Sequence, residues 1–457
     1  MVGEPGRTIG VSADRLNVLF GHLSATKTAN KQRQKCYDLY LAGKTSSRQN
    51  GKMLESISLI EPQGYAPKSR RATLASFACC MPSVENRQLV NLASELIEAA
   101  AGLNQSVHPV LRQELGTLVR SMNCYYSNLI EGHRTLPRDI ERALNSDFVD
   151  DERARNLQLE ALAHIKVQEK IDLGLASGSA ESAARICWLH REFAKLIPAS
   201  MLQITSKSGN KVIDLIPGEY RSGDVIVGKH IPISAAAIPT FLARFERVYN
   251  PAKLSKISQI IAAAASHHRL LWIHPFYDGN GRVSRLFSHG YLKEIGIGNS
   301  LWSVARGLSR NVEDYKKFLA LADSPRWNDL DGRGNLTTKG LIEFCVFFLN
   351  ICLDQIKFMS SIIEPEKILT RMEIYTEEQI RLGNLLPNSF LLLKQLWLEG
   401  EIPKSRVPQI VGYKERQART LQNKLLESNL VVADSLRSPL RLNFPIAVAE
   451  RYFPSLF

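Results

Sequence analysis

The stretch richest in chemistry runs Ile273-His274-Pro-Phe-Tyr-Asp278-Gly279-Asn280-Gly281-Arg282-Val-Ser-Arg285-Leu286. His274 is the side chain best able to accept a proton near neutral pH. Asp278 is an oxygen ligand of the kind magnesium takes. Gly279, Asn280 and Gly281 tolerate unusual backbone angles and leave amide N–H groups directed outward. A helix beginning at about Arg282 adds the partial positive charge of its N-terminus, so the loop reads as an anion site. Arg282 and Arg285 supply fixed donors suited to a polyphosphate. A base, a metal ligand, an anion nest and two arginines between 274 and 285 make a phosphoryl-chemistry constellation. The plainer reading, a His-Pro turn beside two solvated arginines, leaves the rest of that pattern unexplained.

Helices must position this loop. From about 86 to 365 apolar residues recur at helical spacing, as in Leu89, Leu92, Leu96 and Ile97, or Leu111, Leu115, Leu118 and Met122. Further helices are expected at 152–172, 181–197, 234–249, 253–271, 283–295, 311–322 and 339–363. The exception is 211–231, whose β-branched runs around Pro217-Gly218 and Ser222-Gly223 read as a hairpin. The fold class expected is mainly α, with one small β-hairpin and a separate C-terminal module.

The loop from His274 to Arg285 resembles the Fic (Fido) family signature, H-P-F-x-D/E-G-N-G-R-x-x-R, at every fixed position. Most proteins of that family transfer AMP from ATP, with magnesium, to Tyr, Thr or Ser hydroxyls. The resemblance implies that His274 deprotonates the target hydroxyl and that Asp278 holds magnesium. It also implies that Gly279, Asn280 and Gly281 bind phosphates, with Arg282 and Arg285 on the β- and γ-phosphates. Phe276 would anchor the loop in the core. Pro217-Gly218-Glu-Tyr220-Arg221 and Val225-Ile226-Val227-Gly228 resemble the family's flap, which pairs with the target segment as an added strand. Asn311 and Tyr315 resemble its N-x-x-x-Y-Y adenine site, although Lys316 replaces the second tyrosine.

Upstream, Ser127-Asn-Leu-Ile-Glu131-Gly132 resembles the family's inhibitory pattern, (S/T)-x-x-x-E-(G/N), at the end of a helix over about 108–132. In relatives of this kind the glutamate pairs with the second arginine, here Arg285. A two-oxygen fork there would take the γ-phosphate's place and leave ATP in an unproductive pose. The plain reading is a helix ending in Glu-Gly. Two other functions stay open: a relative that removes AMP, and a transcription regulator whose core senses nucleotide.

Beyond this core the chain is read in three parts: 1–85, 366–383 and 384–457. Within 1–52, nine Lys/Arg stand against three Asp/Glu, a balance expected to leave the segment weakly structured. Gly43-Lys44-Thr45 lacks the upstream glycine of a P-loop. Residues 366–383 read as a connecting helix. The order helix, short helix, basic helix and two β-like stretches over 384–457 reads as a helix-turn-helix with a wing. Lys414, Arg416, Arg419 and Lys424 fall on its recognition helix, and Arg437 on the wing, so DNA or a protein is the expected partner there. The net charge of +13 is compatible with either.

The seven cysteines are scattered with no C-x-x-C pair, which fits reduced thiols in a cytoplasmic protein. No run suits a membrane span or a secretory signal. His190 and His267 read as packing, and His164, His268 and His289 as structural or surface histidines. The target protein's identity is open, and the expectation admits a homo-oligomer.

Overall fold

The computed structural model describes residues 57–59, 81–83, 85–205 and 212–457. Nearly all of the basic N-terminal segment, with Cys36, Cys79, Cys80 and Gly43-Lys44-Thr45, lies outside the described residues. The described residues belong to one unit, Met53–Phe457.

Side chains that favour helix starts open most of the long helices. Asn86 accepts the Leu89 amide at 3.1 Å and starts α1 (Arg87–Gln105). His108 precedes Pro109, a residue suited to the first turn, at the start of α2 (Pro109–Ile130). Next come α3 (Pro137–Leu144), then α4 (Glu152–Asp172) capped by Asp151 and α5 (Ala183–Ala194) capped by Ser182. Strands β1 (Ile57–Leu59), β2 (Gln203–Thr205), β3 (Val212–Asp214) and β4 (Val225–Val227) are short. They are followed by α6 (Ile238–Tyr249), α7 (Lys256–Ile273) and α8 (Asn280–Glu294). Then follow α9 (Val304–Arg310), α10 (Val312–Ala322), α11 (Thr338–Ile362) and α12 (Pro365–Arg381).

The middle of this assembly is α7. Ile260, Ile261, Ala262 to Ala265 and Leu270 are all essentially without exposed surface. A helix apolar on every side must be enclosed by others. Here α1, α6, α8 and α11 enclose it, and the small alanines let them approach closely. The turn from α7 into α8 is therefore seated in the core of this assembly.

Two expectations are corrected. The two β-branched runs of 211–231 do not pair with each other. Val212–Asp214 pairs antiparallel with Gln203–Thr205, and Val225–Val227 pairs antiparallel with Ile57–Leu59. The segment between them is drawn down onto the loop after α7, where the Arg221 amide donates to Pro275 O at 2.9 Å, and so it cannot fold back as a hairpin. Ile57–Leu59 also gives part of the N-terminal segment a regular structure that its composition did not announce.

The last elements are α13 (Ser389–Glu399), β5 (Glu401–Ile402), α14 (Val407–Val411), α15 (Glu415–Glu427), β6 (Val431–Val432), β7 (Leu440–Leu442) and α16 (Ile446–Tyr452). Their sheet has the order β5-β7-β6, all antiparallel. This module rests on α2. Arg441 donates to Glu114 at 2.9 Å, and the Tyr125 and Phe457 rings meet edge to face at 5.9 Å. Among the described residues no helix is long and apolar enough to cross a membrane.

Gly400 closes α13 at φ +81°, and a Cβ there would collide with the His108 ring at the start of α2. Gly383 has φ +75° with open space around it. Gly383→Ala should lose only the backbone share, about 1–2 kcal/mol. Gly400→Ala should lose clearly more in denaturant titration, because the contact with α2 is disrupted as well.

Candidate active site

His274 ends α7 in the left-handed region, at φ +51° and ψ +63°, which is costly for a non-glycine residue. Two bonds hold it there. Its amide donates to Leu270 O at 3.0 Å, and its carbonyl accepts from Arg221 Nε at 2.9 Å. The ring's hydrogen bond goes to the Leu271 carbonyl, and Nε2 has no partner. A ring donating through Nδ1 leaves a bare lone pair on Nε2. Burial, helped by the charges of His230 and Arg221, pushes its pKa down to about 3, so the ring is neutral at physiological pH.

The loop that follows is braced from within and from below. The Asn280 side chain accepts from Phe276 N at 3.0 Å and donates to Phe276 O at 2.9 Å. The amide expected to bind phosphate is thus engaged in fixing the loop. Phe276 is fully buried, as expected of an anchor, and stacks on His190 with ring centroids 3.9 Å apart. His190 also accepts the Gly218 amide at 2.8 Å, so a residue read as mere packing joins the flap to the loop. Asp278 stays about half exposed and accepts its neighbour's amide, from Gly279, at 2.6 Å. One accessible carboxylate beside an anion site is a donor set that suits magnesium, which prefers a few protein oxygens alongside phosphate oxygens. α8 begins at Asn280, two residues earlier than the sequence implied, so Gly281 and Arg282 lie in its first turn.

Both arginines are buried, and each has a carboxylate. Arg282 pairs with Glu160 of α4 and lies 3.5 Å from Asp278, with its guanidinium 5.1 Å from the Phe193 ring centroid. Glu160 has no exposed surface and also meets His133 Nδ1 at 2.8 Å. Burial works to raise its pKa, but Arg282 and His133 hold it down to about 2. Arg285 donates through Nε to Ser127 Oγ at 2.8 Å, through Nη2 to the Ser127 carbonyl at 3.1 Å, and through Nη2 to Glu131 Oε1 at 2.5 Å. The contact is with one carboxylate oxygen, not the two-oxygen fork expected; Ser127 takes Nε and shares Nη2 with Glu131. Burial works to raise the Glu131 carboxyl, yet the charges of Arg285 and Arg282 keep it below the ordinary value. Glu131 reaches this point because α2 ends there. Gly132 takes φ +81° and the His133 amide returns to Asn128 O at 2.9 Å. Gly281 makes room, since a Cβ there would collide with the Glu131 carboxylate.

The flap is fixed at both ends. Arg221 is 2% exposed and spends its guanidinium on the carbonyls of His274, Gly223 and Ile233. Tyr220 lies partly buried near Phe276, with centroids 6.2 Å apart. Beyond β4, Val227 and His230 exchange backbone bonds of 2.9 Å around Gly228. His230 then places Nε2 3.0 Å from the Trp272 carbonyl and Nδ1 3.1 Å from the Asp323 carboxylate. Both neighbours are acceptors, an environment that favours a proton on each ring nitrogen. Burial would lower its pKa, but the hydrogen bond and charge of Asp323 raise it.

The remaining expected residues are dispersed. Tyr315 is 3% exposed and its hydroxyl meets His267 Nε2 at 2.7 Å, whereas Asn311 is exposed and donates to Gly307 O at 2.9 Å. Tyr315 thus forms part of the wall against α7. Lys424 is turned back to the Gly383 carbonyl at 2.9 Å, which removes it from an outward-facing set. Lys414, Arg416, Arg419 and Arg437 are exposed. Arg441 is held by Glu114 and Asp434.

Residues 181–292 match the model of the Fic/DOC family. Over 79 residues the chain is 42% identical to Protein adenylyltransferase Fic of Drosophila erecta, and equally to that of Drosophila melanogaster, a match covering 17% of this chain and 16% of either relative. The chain therefore spans about a sixth of the length of the curated relatives it matches. A Fic family protein from Desulfovibrio desulfuricans superposes with a TM-score of 0.47 at 18% identity, covering 79% of this chain and 98% of that one. Fic-1 from C. elegans gives 0.45 at 18% identity, over 60% of this chain and 72% of that one. Residues 181–292 of the chain thus form a Fic/DOC family domain.

Sequence reasoning missed Glu160, His133, His230 and Asp323. A signal for the first was present. Glu160, His164, Gln168 and Asp172 recur every four residues on α4, a polar ladder along a helix face that is buried. Asp172 meets His289 at 2.7 Å and Gln168 meets Asn123 at 2.6 Å.

His230 supplies a pH test. A histidine whose pKa is raised by folding adds stability that is complete below the ordinary histidine value and lost as pH rises through the raised one. His230→Gln should therefore cost roughly 1–3 kcal/mol near pH 6, the worth of hydrogen bonds to a charged group, and much less near pH 9. Unfolding of parent and variant across that range gives the difference directly.

Proposed function

We propose that this chain is a protein adenylyltransferase that moves AMP from ATP to a hydroxyl of a target protein, and that Glu131 restrains it. The observation that carries the reading is the neutral, unpartnered Nε2 of His274 one short loop away from the N-terminus of α8. The target hydroxyl gives its proton to Nε2 as its oxygen bonds to the α-phosphorus. The bond from that phosphorus to the bridging oxygen breaks, and pyrophosphate leaves. The amides at the start of α8 and the two arginines favour the charge that moves onto the leaving phosphates. Asp278 would hold magnesium, which supplies charge neutralisation for the polyphosphate when bound.

The restraint follows from occupancy. Arg285 already commits Nε and Nη2 to Ser127 and Glu131, so a γ-phosphate that takes those donors has to displace the carboxylate or settle elsewhere. Glu131→Gly should raise transfer from α-labelled ATP to proteins of a cell lysate by at least about tenfold, the effect of some 1.4 kcal/mol on the barrier. The Glu131→Gly/His274→Ala double variant should transfer none. Equal labelling by parent and Glu131→Gly would sink the restraint. Absence of transfer by every form, with ATP still bound, would favour the readings of AMP removal or nucleotide sensing.

A second activity is favoured by the exposed face of α15. Lys414, Arg416, Arg419, Gln417, Thr420 and Asn423 all face solvent, and the wing tip adds Arg437. Basic residues alternating with amides and a hydroxyl on one helix suit a DNA duplex, phosphates first and base edges second. Arg416→Ala/Arg419→Ala should weaken duplex binding at least tenfold in fluorescence anisotropy at low salt and flatten its salt dependence. Unchanged binding, or no binding by the parent, would redirect this face to a protein partner.

A further inference from the structure

The flap strand β4 is tied to the base at both ends, and the two ties differ in kind. Before the strand, Arg221 donates from its side chain to the His274 carbonyl and from its amide to Pro275 O. A guanidinium keeps its protons throughout the pH range of folded proteins, so this tie is constant. After the strand the chain turns at Gly228, and Val227 and His230 exchange two backbone bonds. The His230 ring then spans two acceptors, the Trp272 carbonyl in the last turn of α7 and the Asp323 carboxylate after α10. A neutral imidazole has one N–H, so only the doubly protonated ring serves both. This second tie is conditional.

Asp323 is built to favour that second proton. Its amide returns to Leu319 O at 3.1 Å, which fixes it as the cap of α10. One carboxylate oxygen lies 3.1 Å from His230 Nδ1 and the other 3.1 Å from His268 Nε2. Burial works to raise the Asp323 carboxyl, but hydrogen bonds to both histidines hold it well below the ordinary value, so it is an anion. His268, 1% exposed on α7, is pushed below the ordinary histidine value by burial. Its Nδ1 faces Arg269 Nη1 at 3.2 Å, which leaves Nε2–H for Asp323 in a neutral ring. Of the two rings, His230 is therefore the one that holds an extra proton against Asp323. Arg221 opposes that proton by its charge, and the neutral His274 ring adds none.

We propose that His230 is a positioning residue for transfer: its ring, held by Asp323, fastens the far end of the flap to the last turn of α7 and so fixes where a target laid on β4 meets His274. This rests on the transferase reading above. His230 itself touches no reacting atom. When the ring gives up one proton, one of its nitrogens turns a lone pair toward an oxygen, and the far end of the flap comes loose. Arg221 still holds the near end, so His274 keeps its place and the nucleotide its loop. The loss falls on the alignment of the target and not on the binding of ATP.

The test measures transfer from α-labelled ATP to lysate proteins by the full chain carrying Glu131→Gly, from about pH 6 to about pH 9, well below the melting of each variant. Binding of ATP is measured beside it. A ring whose proton is favoured by folding keeps the tie at low pH and loses it as pH rises through the raised value, so transfer should fall on the alkaline side. Asp323→Asn removes the anion that favours the proton, and its fall should begin about one pH unit lower. His230→Gln should transfer at least about fivefold less than its parent near pH 6 and lack that fall, while its affinity for ATP stays within about twofold. Coincident alkaline falls in Asp323→Asn and its parent would overturn this proposal alone. So would transfer by His230→Gln equal to its parent's, or a loss of ATP binding in step with transfer. No transfer by any form would overturn the transferase reading and this proposal with it.

Discussion

Two buried guanidinium groups on one turn of helix govern this site. Arg282 is 8% exposed and Arg285 is 2% exposed, and neither cation can remain so without a matched anion. Glu160 answers the first and Glu131, with Ser127, the second. Those demands fix where α2 must end and how α4 must lie against α8. They also explain why polar residues run every four positions along the buried face of α4. The polyphosphate site proposed above is electropositive, and the protein's own carboxylates match its charge.

The two anions differ in character, and the difference has mechanical meaning. Glu160 is fully buried in the middle of a helix and braced by His133. Glu131 is the C-cap of α2, a quarter exposed, and touches Arg285 through one oxygen. The first is a permanent part of the core, and the second sits at a terminus that a modest shift of α2 would withdraw. The C-terminal module bears on that same helix through Glu114 and Arg441 and through the packing of His108 against Gly400. The module and Glu131 therefore bear on the same helix.

How much of this could be read from the sequence depends on distance along the chain. The loop from His274 to Arg285 was legible because base, nest and arginines are local, and the helices around it follow from apolar spacing. Glu131 was legible only through resemblance. Glu160 contacts Arg282 across 122 residues, and nothing near either names the other, although the polar ladder on α4 marks a face that must meet charge. The flap was misread as a hairpin because β-branched runs look alike whichever strand they join. The true partner of β4 is three residues in a segment whose composition suggested little structure. Asn280 shows a subtler limit: its position in the motif was evident, but only coordinates show both ends of its amide committed to Phe276.

The dependence of Arg285 on an anion is tested most directly by unfolding Glu131→Gln, an isosteric and uncharged replacement, with and without nucleotide. Breaking a buried pair by removing one partner costs about 3–5 kcal/mol, so the variant should melt well below the parent when no nucleotide is present. Magnesium and ATP should recover more of that loss in the variant than they add to the parent, whereas AMP, which has no β- or γ-phosphate, should not. A variant as stable as the parent without nucleotide, or one stabilised equally by ATP and AMP, would contradict the view that Glu131 stands in for phosphate at Arg285.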